Sequence, residues 1–271
     1  MIILKYQLRE GMINMNLENT KVLTTVEYGS TYQGLSDAHS DKDIMNIVLQ
    51  PFEDTVFGDI RKGSHHNADN DRFYSAERFV NLLLRGSSDN LLVLCAQLEQ
   101  AKDSEYNQKV LRVFYERDDA FDELVKANLR TYMMSLKGQL YKIIKRNSTQ
   151  GFTGKDLLKE VVFMNRLNHV IALKEGRLSK PVTYDTLIKD STLGVDNQIH
   201  YNIATFLPLK RMEYDQLKRY IDVQQYIADR NKWFKIMEAK VEQLDFQDDK
   251  FKYEYELKSD LVQYLVEKYQ N

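Results

Sequence analysis

Residues 26–50 read VEYGSTYQGLSDAHSDKDIMNIVLQ. An apolar segment breaks at Gly29-Ser30, runs through polar residues, and returns as Asp41-Lys42-Asp43 leading into Ile44-Met45-Asn46-Ile47-Val48-Leu49. This pattern predicts a strand, a small-residue turn, a short helix and a second strand. Gly29 and Ser30 let a backbone approach a phosphate closely, with N–H groups and a hydroxyl free to donate to its oxygens. Asp41 and Asp43 stand two apart at the opening of the second strand. Alternate residues of a strand share a face, so both carboxylates can reach one point. Two hard oxygen ligands aimed together suit a divalent cation, and phosphate oxygens commonly complete the coordination of Mg²⁺.

Gly-Ser, about ten intervening residues and Asp-x-Asp on the next strand resemble the signature of the DNA polymerase beta-like nucleotidyltransferase superfamily. The finer form, Gly29-Ser30, Gly34-Leu35 and Ser40-Asp41-Lys42-Asp43, is most similar to the nucleotidyltransferases of the RNA-repair-pathway DNA polymerase beta family. The resemblance implies metal-dependent transfer of a nucleoside monophosphate from a nucleoside triphosphate to a hydroxyl acceptor, with Mg²⁺ or Mn²⁺ as cofactor. Asp41 and Asp43 would be metal ligands and catalytic acids. Gly29, Ser30 and Ser40 would bind the nucleotide. A third carboxylate usually completes such a site, and the candidates are Asp59, Asp69 and Asp71. Asp71, just before Phe73-Tyr74-Ser75, matches the family pattern best; an Asp there is equally suited to capping a helix.

The resemblance continues through Arg78-Phe79 and Gly86 to Asn90, with two departures. Leu91 stands where relatives have proline, and Cys95 about where they have glutamate, so no functional glutamate is expected there. Farther on, relatives carry Lys-x-x-x-His-x-x-Arg on a helix, and this chain has Lys159, Phe163 and Arg166. The missing histidine removes any proton transfer assigned to it, while the two cations keep their chemistry for phosphate. Independently of the resemblance, Lys155, Lys159 and Arg166 recur at four and seven residues, close to one helical face. They are read either as triphosphate ligands or as solvated charges.

The 271-residue chain is 43% hydrophobic and 29% charged, the composition of an ordinary globular protein. Its formal net charge of −2 excludes a global basic field. The single cysteine, Cys95, cannot form an internal disulfide and is expected to be buried, in a reducing cytoplasm. Met1-Ile2-Ile3-Leu4 gives way at once to Lys5, which argues against a secretory signal, and no apolar run approaches the length of a membrane span. The expectation is a soluble cytoplasmic protein with no membrane partner.

Taken in order, Met12 to Leu17 suggest a short amphipathic element, and KVLTTVEY, residues 21–28, the first strand. Pro51 and residues 52–60 suggest a turn and another short strand. Residues 61–72, RKGSHHNADNDR, read as a loop; the adjacent His65 and His66 have no companion at a zinc-ligand spacing. From Phe73 the spacing Phe73, Ala76, Phe79, Val80, Leu83 predicts a helix, followed by a second over Asn90 to Glu99 capped from Ser87-Ser88-Asp89. Residues 104–147 read as two or more helices, and Thr153 starts another that runs to Glu175 and stops at Gly176. Pro181 and Pro208 bracket an irregular region around a short helix at residues 184–189. Residues 213–246 and 250–269 read as two long helices. The fold class is therefore α+β: a polymerase beta-like α/β catalytic domain over residues 1–100, and an α-helical substrate-binding domain over 101–271.

Lys137, Lys142, Lys145 and Arg146, with Tyr132 and Tyr141 interleaved, suit a nucleic-acid backbone with stacked bases. They equally suit a wet helix face with its tyrosines packed inward, which is the expected reading. The Tyr-rich tail is read as helix packing. For the acceptor, an RNA end such as that of a tRNA, a protein hydroxyl and a small molecule all remain open, and the RNA-repair resemblance favours RNA. Two rivals to catalysis on RNA stand beside it: a non-catalytic nucleotide sensor, and a toxin–antitoxin-type transferase acting on a protein partner.

Overall fold

The computed structural model describes residues 19–57, 64–66, 71–150, 152–175, 203–244 and 250–270. The chain opens with β1 (Lys21–Tyr28), a single helical turn α1 (Gly29–Tyr32) and β2 (Asp43–Leu49). After α2 (Phe52–Phe57) come β3 (Ser64–His66) and β4 (Arg72–Ser75). The strands form one sheet in the order β1-β2-β4-β3. β1 and β2 run antiparallel with Tyr28 opposite Asp43, whereas β2 and β4 run parallel with Met45 opposite Arg72. Met45 through Leu49 are all buried, as expected of an interior strand covered on both faces.

The helices follow: α3 (Ala76–Leu84), α4 (Ser88–Gln100), α5 (Glu105–Val110), α6 (Val113–Glu116), α7 (Ala120–Ala127), α8 (Leu129–Gln150) and α9 (Gly154–Lys174). Then come α10 (Ile203–Phe206), a 3₁₀ turn at Leu207–Leu209, α11 (Tyr214–Leu217), α12 (Val223–Gln243) and α13 (Glu254–Gln270). The mixed α+β class expected from the sequence is what the chain adopts. None of the described helices is long and apolar enough to cross a membrane.

Four local expectations are corrected. Phe73 and Tyr74 belong to β4, and the helix begins at Ala76, where the Ser75 hydroxyl accepts from the N–H of Arg78. The three-residue step from Phe73 to Ala76 imitates the helical period across a strand–helix junction. Residues 52–57 are helical rather than extended, consistent with Glu53 and Asp54 in the first turn. Residues 64–66 pair with β4 instead of forming a loop. The expected long helix from 213 is also divided, into α11 and α12. The elements expected near Met12 and over 184–189, and Gly176, lie outside the described residues.

Two hydrophobic clusters are built around this frame. The larger joins Val26, Met45 and Ile47 of the sheet to Phe79, Leu94, Leu136, Leu167, Trp233 and Leu265. The smaller contains Phe152, Leu157, Leu158, Val161, Phe206, Leu209 and Tyr226. Helix α9 contributes to both, its first half to the smaller cluster and its second half, from Met164 to Ile171, to the larger. Its rotation is fixed by a buried polar network. Glu160, fully buried, accepts from Asn147 of α8 at 2.7 Å, and from Tyr226 at 3.0 Å and Arg230 at 3.1 Å of α12. Burial raises the Glu160 carboxyl above the usual range, and Arg230, Asn147 and Tyr226 pull it back. A charge this deep is retained only with such partners. One residue earlier on the helix, Lys159 is thereby turned toward the sheet's open end.

Candidate active site

The carboxyl end of β1 and the start of β2 meet at a cavity of about 380 Å³, within the range of small-molecule sites. Tyr28 stands opposite Asp43 across the antiparallel pair, so the residue after Tyr28 must turn away in the space beside that carboxylate. That residue is Gly29, at φ +74°, and a Cβ placed on it would overlap the Asp43 carboxylate. Glycine is required there twice over, by the left-handed backbone and by the close approach. Asp43 is the first residue of β2, and Asp41 precedes it outside the strand; both line the cavity together with Gly29, Ser30 and Ser40.

The opposite wall is cationic. Lys155, Lys159, Phe163 and Arg166 of α9 all line the same cavity. Arg166 is nearly buried, donates to the side-chain oxygen of Gln33, and lies over the Phe163 ring at 5.8 Å. The Lys159 side chain remains open to the cavity's solvent, yet its ammonium is held below the ordinary lysine value. The first cause is the water displaced by the surrounding walls, the second the like charges of Lys155 and Arg146; Asp156 and Asp43 oppose both. An anion entering here would relieve that repulsion. Leu35, Leu92, Leu158 and Val162 supply apolar surface between the charges.

The structure adds residues that sequence reasoning does not single out. Lys210 and Arg211 reach the cavity from the segment after the 3₁₀ turn. They get there because Gly154 opens α9 without a side chain: a Cβ on it would overlap the Leu209 carbonyl, and its N–H donates to the Met212 carbonyl at 2.8 Å. Lys210, 8% exposed, donates to the Leu35 carbonyl at 2.6 Å and to Ser40 Oγ at 2.8 Å. Arg211 grips Asp37 through Nε at 2.7 Å and through Nη2, and its guanidinium holds the Asp37 carboxyl well below the usual carboxylate range. The loop between Gly-Ser and Asp-x-Asp is thus tied to a segment some 170 residues away. No periodicity marks Lys210-Arg211 in the sequence, and only tertiary packing brings them in.

Asp71 does not line the cavity; its neighbour Arg72 does. The β2–β4 register puts Arg72 on the face of Met45, hence of Asp43 and Tyr28, and directs the preceding residue to the other face. Strand parity is the signal that selects Arg72. Its guanidinium lies 5.4 Å from the centre of the Tyr28 ring and 3.9 Å from Asp89, which sits in the first turn of α4 and also lines the cavity. Burial raises the Tyr28 phenol above its ordinary pKa. Asp59 and Asp69 lie outside the described residues. Leu91 and Cys95 are both buried on α4, and burial pushes the Cys95 thiol up.

Among the described residues no group of three or more His, Cys, Asp or Glu side chains could hold a metal ion. Asp41 and Asp43, which line one cavity, are carboxylates, the donor type of which Mg²⁺ commonly takes one or two while substrate phosphate oxygens complete its shell. The cavity therefore offers carboxylates on one side, an array of donors on the other and apolar surface between. That arrangement suits a polyphosphate joined to a ring system.

The family model RlaP, described as the RNA repair pathway DNA polymerase beta family, matches residues 9–256. No curated protein matches the chain.

Proposed function

The chain belongs to the RNA repair pathway DNA polymerase beta family, and we propose that it transfers a nucleoside monophosphate from a nucleoside triphosphate to a hydroxyl acceptor at the end of an RNA. One observation carries this reading: Asp41 and Asp43, Gly29 and Ser30, and Lys159 and Arg166 line a single cavity. In the reaction, the acceptor oxygen forms a bond to the α-phosphorus, the bond from that phosphorus to the β-bridging oxygen breaks, and pyrophosphate departs. The hydroxyl proton passes to solvent or to a carboxylate in the cavity.

Each wall has a task in that step. Gly29 and Ser30 present backbone and hydroxyl donors to the β- and γ-phosphates. Arg166 offers a planar fork and Lys159 a compact point charge to the departing pyrophosphate. Lys210 holds the loop carrying Ser40 and Asp41, and so positions the acids. Asp41 and Asp43 would hold Mg²⁺ or Mn²⁺, which supplies neutralisation of phosphate charge when bound. Alignment and charge stabilisation then account for most of the rate.

A second reading, a nucleotide sensor without chemistry, draws on β4, whose cavity-facing residue is Arg72 rather than an acid. Incubation of the protein with each labelled nucleoside triphosphate, Mg²⁺ or Mn²⁺, and total RNA separates the two. Label entering RNA supports transfer. Tight triphosphate binding with no label in any acceptor supports the sensor.

A further inference from the structure

Helix α8 contains five basic residues, Arg130, Lys137, Lys142, Lys145 and Arg146, and no Asp or Glu in 22 residues. The whole chain, by contrast, has 40 acidic residues against 38 Lys and Arg. Toward the neighbouring helices, Lys137 pairs with Glu238 at 3.3 Å and Arg146 pairs with Asp156. Lys142 and Lys145 are exposed.

The tyrosines of this helix divide. Tyr132 is buried, as packing would have it, but Tyr141 is 54% exposed, its ring backed by Phe234 at 6.4 Å. Met134 is half exposed one turn before Gly138, and Tyr141 follows three residues after it. A Cβ at Gly138 would meet nothing within 4 Å. A glycine in the middle of a long helix weakens it, and here no neighbouring group requires one. What it leaves is a shallow notch between an exposed thioether and a supported aromatic ring. Past Lys145, Arg146, in its pair with Asp156, and Lys155 lead on to Lys159, on whose ammonium both cations act while Asp156 opposes them, and so to the cavity.

We propose that this outward face of α8 binds the acceptor RNA as a single strand, phosphates along Lys142 and Lys145 and a base against Tyr141, and leads its end into the cavity. The proposal rests on the nucleotidyl-transfer reading for the direction of the strand. Charge complementarity selects a polyanion, and an exposed, supported ring beside an open notch suits an unpaired base.

The test is fluorescence anisotropy with a labelled single-stranded RNA of about 12 nucleotides, within the usual site sizes, and calorimetry with a triphosphate and Mg²⁺ on the same samples. Tyr141→Ala should weaken RNA binding about 10-fold. Lys142→Glu with Lys145→Glu should weaken it further and reduce the slope of log affinity against log salt by about 1.4, or about 0.7 for each phosphate no longer neutralised. Lys142→Arg with Lys145→Arg should retain binding, which separates lost charge from lost folding. Triphosphate affinity should be unchanged in all of them. Failure of the native protein to bind RNA, or equal binding by the charge-reversed variant, would overturn the proposal, as would transfer of label to a protein instead of RNA. If the variants lose RNA while the native protein transfers no nucleotide, the face stands and the transfer reading alone fails.

Discussion

The two walls of the cavity are encoded in opposite ways. Gly29, Ser30, Asp41 and Asp43 come from one strand–turn–strand unit of fifteen residues; the pairing of Tyr28 with Asp43 brings Gly29 and Asp43 together, while the loop before Asp41 is also held by Lys210 and Arg211. Apart from Arg72 of β4, the cations come from Lys155 to Arg166 on one helix and from Lys210 and Arg211 beyond it. Those groups meet the acids only because a buried network sets the rotation of α9 and a glycine admits the later segment. The Gly29–Asp43 contact is therefore set by local backbone geometry, and the cationic wall that faces it by tertiary packing. The two should fail differently when disturbed.

The largest effect is expected behind the cationic wall. Arg230→Ala leaves the Glu160 carboxylate buried without its cation and should cost about 3–5 kcal/mol of stability, measured by urea unfolding. The loss should depend on pH. With burial raising the Glu160 pKa and Arg230 no longer lowering it, the folded protein holds that proton more tightly than the unfolded chain does. Stability then falls as pH rises from the ordinary glutamate range through the raised value. The variant should be least impaired in acid. A loss independent of pH would show that the pair does not set this wall.

Gly29→Ala attacks the acidic wall, and Gly34→Ala is its control. Both glycines have positive φ, but a Cβ at Gly34 meets nothing within 4 Å. Gly34→Ala should cost only the left-handed strain of about 1–2 kcal/mol. Gly29→Ala should cost more, because Asp43 must also move, and should abolish nucleotide transfer. Equal stability losses with transfer intact would deny the close approach its importance.

Arg166→Ala should weaken triphosphate binding by about 1.5–3 kcal/mol, the scale of a hydrogen bond to a charged group, and Arg166→Lys should recover part of it. Calorimetry with Mg²⁺ present is the measurement. Unchanged affinity in both Arg166→Ala and Lys159→Ala would take the triphosphate role from α9 and leave Arg166 a packing residue against Gln33 and Phe163. The smallest effect is expected at Gly138→Ala on α8, which should stabilise the protein by up to about 1 kcal/mol through helix propensity alone. A loss of stability there would show that the notch is part of the packing.

What is legible in the sequence follows the same division. β1 shows its full extent because alternating Thr24, Val26 and Tyr28 go inward, and the acids announce themselves through Gly-Ser and Asp-x-Asp. Helical period groups Lys159 with Arg166. β4 is hidden because Phe73 stands three residues before Ala76, and Asp71 outranks Arg72 until strand parity is applied there. Lys210, Arg211 and Asp89 carry no local pattern that announces the cavity. Tyr132 and Tyr141 stand nine residues apart, on opposite faces of a helix, so the expectation that both pack inward overlooks the helical period: Tyr132 is buried, and Tyr141 stays exposed with Phe234 of α12 behind its ring.

The central claim is that the acidic wall serves chemistry while the cationic wall serves binding. It is tested most directly by Asp43→Asn, followed in parallel for nucleotide transfer with Mg²⁺ and for triphosphate affinity without metal. Transfer should fall by at least about 100-fold, the scale for removing a group that stabilises developing charge. Metal-free affinity should hold or improve, since a negative charge beside the phosphates has been removed. Transfer within a few-fold of the native rate, or a metal-free affinity that collapses with it, would contradict the account.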